Sequence, residues 1–71
     1  MDPKYQRLYY QFLSGDMMTT SEALERIEYY DEGVRAHLCH EDALDYSIHR
    51  MNGMSSSQAY QAIINDIMRQ V

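Results

Sequence analysis

Seventy-one residues with a net charge of −5 make one acidic domain, residues 1–71. That is near the size below which a chain needs a disulfide, a metal or a partner to hold a fold. The single cysteine, Cys39, excludes an internal disulfide, and with no leader and no long apolar run the chain is expected to be soluble, cytoplasmic and off the membrane.

Asp2 before Pro3 is an N-cap followed by proline at the first helical position, and Tyr5, Leu8, Tyr9, Phe12 and Leu13 keep helical spacing as far as Gly15. Tyr10 lies about 100° around that helix from Tyr9, so one face cannot bury both rings. Thr19 and Glu22 then have the spacing of a capping box, with Met18 and Ala23 in the hydrophobic-staple positions. The second helix follows. Ala23, Leu24, Ile27 and Tyr30 form its apolar side, Glu25, Tyr29 and Glu32 line an acidic, aromatic face, and Gly33 is expected to close it.

Residues 34–39 read either as a connector or as the first turns of a longer third helix whose stripe includes Val34 and Leu38. The favoured expectation is a helix running to Met51, with a break near Cys39 as the variant, ended by Asn52-Gly53. Ser55 and Gln58 repeat the capping-box spacing. In the last helix Tyr60, Ile63, Ile64, Ile67, Met68 and Val71 fall at i, i+3, i+4, i+7, i+8 and i+11, the cleanest apolar stripe in the chain. It is wide for so small a monomer. Its first turns are expected to pack inside, and Ile63, Ile64, Ile67, Met68 and Val71 are the candidate residues of a homodimer seam.

The expected fold is therefore all-α, a compact bundle of three to four short helices, dimeric through the last. The phrases Glu22-Ala23-Leu24-Glu25, Asp42-Ala43-Leu44-Asp45 and Gln58-Ala59-Tyr60-Gln61 echo one another near helix starts, but they are too short for a solenoid repeat.

Chemistry is sparse. On a continuous third helix His37, Glu41, Asp45 and His49 would share a face at i+4 steps, as zinc ligands can, yet no paired ligand motif accompanies them, and no metal or cofactor is expected. Neither Cys39 nor a serine has an oriented base in view, Ser55, Ser56 and Ser57 suit helix capping, and no Gly-rich phosphate loop exists, so the expectation is that the protein is not an enzyme. Residues 44–65 have the outline of a helix-turn-helix around Gly53. His49 and Asn52 stand where small and apolar residues are usual, and residues 56–66 offer no lysine or arginine, so direct nucleic-acid binding is not expected.

Charge and aromatics point elsewhere. Between residues 22 and 45 eight acids stand against two bases, while the rest of the chain has three acids and four bases. That balance works against phosphate backbones and anionic lipid and leaves basic proteins as partners. Seven tyrosines accompany one phenylalanine and no tryptophan, and tyrosine suits interfaces better than cores. Tyr10, Glu25, Tyr29 and Glu32 are the candidate partner-binding residues, rings supplying area and carboxylates orientation.

The run Gly15-Asp16-Met17-Met18-Thr19-Thr20-Ser21-Glu22-Ala23 resembles the turn-and-cap phrase of several small helical modules, among them the antitoxins that inhibit Fic enzymes. Those antitoxins act through a Ser/Thr-x-x-x-Glu-Gly/Asn helix; residues 47–52 come nearest but carry Met51 in the glutamate's place, so membership is not assigned. The expected function is that of a small acidic regulator or inhibitor, of the kind phages and plasmids encode, that binds a larger bacterial protein stoichiometrically. The alternatives are a DNA mimic acting on a nucleic-acid-binding protein and a helix-turn-helix transcription regulator.

Overall fold

Each helix begins on local chemistry. In the computed structural model, which describes residues 2–69, the Asp2 carboxylate accepts the Lys4 N–H at 3.1 Å and Pro3 opens α1 (Pro3–Ser14). The Thr19–Glu22 capping box opens α2 (Thr20–Arg35): Thr19 N–H donates to Glu22 Oε1 at 3.0 Å and Glu22 N–H to Thr19 Oγ1 at 3.2 Å. The same reciprocal pair, Ser55 with Gln58 at 3.1 and 3.2 Å, opens α4 (Ser56–Arg69). Between them α3 (His40–Met51) follows Cys39, whose side chain makes no capping bond. The fold is the expected all-α bundle, 34 × 23 × 19 Å, with no strand among the described residues.

Two boundaries differ from expectation for non-local reasons. Gly33 does not close α2; it is buried within it, where α2 crosses α3, and a Cβ there would lie 3.2 Å from the Tyr46 ring and 3.3 Å from Ala43. Its role is close approach. The helix ends after Arg35 instead, and His37 takes the left-handed conformation, φ 68°, that glycine usually supplies. Leu38 N–H then reaches back to Gly33 O at 3.1 Å, and His37 N–H to Val34 O at 3.0 Å. The continuous helix over residues 34–51 is thus replaced by a reversal, and α3 returns antiparallel to α2.

The main core joins three helices: Leu8 and Phe12 of α1, Ala23, Ile27 and Tyr30 of α2, and Ala43 of α3. Arg26 ties them together. Its guanidinium lies 4.1 Å over the Phe12 ring, Nε donates to the buried Ser47 Oγ at 3.1 Å, and Nη1 reaches Asp16 at 3.1 Å. A second cluster, Tyr46 with Ala59 and Ile63, holds α4 to α3, and Leu38 packs against both clusters.

Candidate protein-binding surface

The flank of α2 that carries Glu25, Tyr29 and Glu32 is brought together as its spacing requires, but its side chains are engaged inside the molecule. Tyr29 Oη donates to Glu25 at 3.2 Å, and the Arg50 guanidinium covers the Tyr29 ring at 4.6 Å. Arg50 Nε sits 3.2 Å from Glu32 in ionic contact, although its N–H is not aimed for a hydrogen bond, while Nη1 donates to Met54 O at 2.8 Å. Tyr46 Oη also donates to Glu32. Burial, reinforced by that carboxylate, pushes the Tyr46 hydroxyl up to about 12. This network fastens α2 to α3 and to the turn that leads into α4.

Tyr10 does not join the group. It lies on α1, 59% exposed, with Tyr9 as its ring neighbour at 5.6 Å. Much of the tyrosine surplus also has an internal explanation, because polar ring tips let helices bind one another through otherwise apolar contacts. Tyr5 Oη donates to Asp31 and, chiefly through that bond, is raised to about 12, while the bond holds the Asp31 carboxyl below its ordinary value. Tyr30 Oη pairs with His40 Nδ1 at 2.8 Å.

Ion pairing concentrates the negative charge. Lys4, Arg26, Arg35, Arg50 and Arg69 each stand within 4.0 Å of an acid, respectively Asp2, Asp16, Asp31, Glu32 and Asp66. Among the described residues the acids outside these pairs are Glu22, Glu25 and Glu28 near the start of α2, and Glu41, Asp42 and Asp45 near the start of α3. Among the described residues these six acids stand against one base outside the pairs, Arg7.

The outer face of α4 leaves apolar side chains open. Ala59 and Ile63 pack with Tyr46 against α3, and Ile63, 2% exposed, adds little to the open part of the stripe. Ile64 is half-buried, whereas Ile67 is 40% and Met68 68% exposed. Val71 lies outside the described residues. Ile63 and Ile67 stand in a groove of about 270 Å³ together with Asp42, Asp45, Asp66 and Arg69, so the open apolar face has an acidic border on its Ile67 side. A second groove, about 510 Å³, runs between Glu32, Ala36 and Tyr46 on one side and Ser56, Ser57 and Tyr60 on the other.

The left-handed turn at His37 takes that residue off the helix bearing Glu41, Asp45 and His49, so the conditional metal face is not formed; among the described residues no three His, Cys, Asp or Glu side chains are grouped to hold an ion. No described helix is long and apolar enough to cross a membrane. Neither the expected Tyr29 face nor the tyrosine count reveals the α4 border, which depends on the α3–α4 approach; the only sequence signal for it is the acid pair Asp42 and Asp45. Compared with known proteins, the chain matches no family model, no curated protein and no solved structure.

Proposed function

We propose that this protein works by stoichiometric binding to a larger protein, as a small acidic regulator or inhibitor of the kind phages and plasmids encode, without catalysis and without a cofactor. The observation that carries this reading is the outward face of α4, where Ile67 and Met68 remain open and Ile67 shares a groove with Asp42 and Asp45, acids outside the ion pairs. Exposed apolar area flanked by charge is what a recognition surface provides: area for affinity, charge for orientation. Direct nucleic-acid binding is disfavoured, because the α4 face that a helix-turn-helix would offer has Asp42, Asp45 and Asp66 along it and would repel phosphates.

Affinity capture from a bacterial lysate tests the proposal. The wild-type chain should retain one protein in stoichiometric amount, and Ile67→Ser/Met68→Ser should release it; return of duplex DNA alone, or of no protein, rejects the reading. The second reading is a homodimer through the same stripe, which the exposure of Ile67 and Met68 favours. Sedimentation equilibrium over a wide concentration range should then show a dimer that Ile67→Asp dissociates.

A further inference from the structure

We infer that the open face of α4 receives a cationic amphipathic helix of the protein partner, and that its acidic border selects such a helix over a second copy of this chain. The inference rests on the protein-binding reading above and names the chemistry of the partner.

Shape and charge both bear on the choice. Ile64, Ile67 and Met68 recur at i, i+3 and i+4 along α4, which is the spacing an apposed helix reads with its own apolar stripe. Asp42 and Asp45 come from α3 and Asp66 from α4, and they share one groove with Ile67. Arg69 is the only base there, and it is already 4.0 Å from Asp66. The groove therefore carries three acids against one base. A lysine or arginine flanking the partner's apolar stripe would find unpaired carboxylates within side-chain reach of the apolar contact.

A second copy offers the opposite. In a twofold contact the same patch supplies both sides, so the contact would gather two sets of Asp42, Asp45 and Asp66 with no surplus base in the groove of either copy. Like charges brought together in this way select against self-pairing while leaving a basic partner free to bind. The apolar stripe is common to both occupants; the acidic border distinguishes them.

The test uses the full chain and a synthetic helix with leucine at i, i+3, i+4 and i+7 and lysine elsewhere, compared with a scrambled peptide of the same composition. Titrations are followed by amide chemical shifts. The amphipathic peptide should bind on the order of tenfold more tightly than the scrambled one, with shifts centred on Ile64, Ile67 and Met68 and on Asp42 and Asp45. Asp42→Asn/Asp45→Asn should weaken it by roughly three- to thirtyfold at low salt, an effect that fades as salt is raised. Ile67→Ser/Met68→Ser, checked for unchanged helix content, should abolish the preference over the scrambled peptide. Equal binding of the two peptides, shifts centred elsewhere, or a dimer that the peptide cannot dissociate would each overturn the proposal. Failure can be told apart from failure of the protein-binding reading: if the lysate partner is still captured by Ile67→Ser/Met68→Ser, protein binding stands and only this surface falls.

Discussion

Phe12 and Ile63 are both sealed from solvent, yet they anchor regions built in different ways. Phe12 is enclosed by three helices and capped by the Arg26 guanidinium, so displacing it disturbs α1, α2 and α3 together. Ile63 shares its cluster with Tyr46 and Ala59 and holds α4 against essentially one neighbour. The helix with the cleanest apolar stripe thus still leaves part of it uncovered. Amphipathic quality measures how much apolar surface a helix can bury, not how much its fold does bury, and the remainder is what stays available for recognition.

Phe12→Ala should have the largest effect, about 3–5 kcal/mol, comparable with the whole stability of a domain this small, and urea unfolding followed by circular dichroism should show little native protein. Ile63→Ala should cost about 2–3 kcal/mol and act locally. Amides of α4 should exchange faster while those of α2 stay protected; loss of protection in both at once would mean that α4 is no separate unit. Arg26→Ala should cost about 2 kcal/mol, because the fully buried Ser47 hydroxyl loses its donor and Phe12 its cover, although half-exposed Asp16 is re-solvated. Gly33→Ala should cost about 1 kcal/mol in thermal unfolding, since crowding of Ala43 and Tyr46 exceeds the gain in helix propensity.

The smallest effect near neutrality is a pH effect that becomes large only in alkali. Tyr5 and Tyr46 are raised from 10.0 to about 12, so their contributions are complete below pH 10 and disappear as pH rises through about 12. Tyrosinate absorbance should rise together with loss of helix in that window; ionisation near 10 in a still-folded chain would show that the carboxylate bonds are not retained in solution. Asp31 has the opposite sign: its carboxyl is lowered from 3.8, chiefly by Tyr5, and its contribution is lost as pH falls below that ordinary value.

What could be read from the sequence was local. Asp2-Pro3 and the Thr19/Glu22 and Ser55/Gln58 boxes each satisfy backbone donors within three residues, so their spacing carried the full information, and the corresponding helices start where expected. Gly33 was misread because a glycine that ends a helix and one that lets another helix approach look alike until the second helix is placed. His37 carries only a weak signal: histidine is enriched among the few non-glycine residues at positive φ, but far less so than glycine. The surroundings of the candidate site are non-local in the same way. Glu25 and Tyr29 pair on α2 as their spacing implies, but Arg50 comes from α3 to contact Tyr29 and Glu32, and Tyr10 is on another helix. The acidic border on α4 needed both α3 and α4 in place before Asp42, Asp45 and Asp66 could be seen around Ile67.

Arg26 also determines how this chain can vary. Its guanidinium makes simultaneous use of an aromatic face, a buried hydroxyl and a carboxylate from three separate segments. Substitutions at Phe12, Asp16 and Ser47 should therefore be strongly non-additive: each removes part of the reason for keeping the arginine, and a second change costs less once the first is made. A route to an apolar replacement for Arg26 passes through poorly folded single variants unless Ser47 changes with it. The four positions form one inheritable unit, and a lineage of this protein can exchange the whole set more easily than any one member.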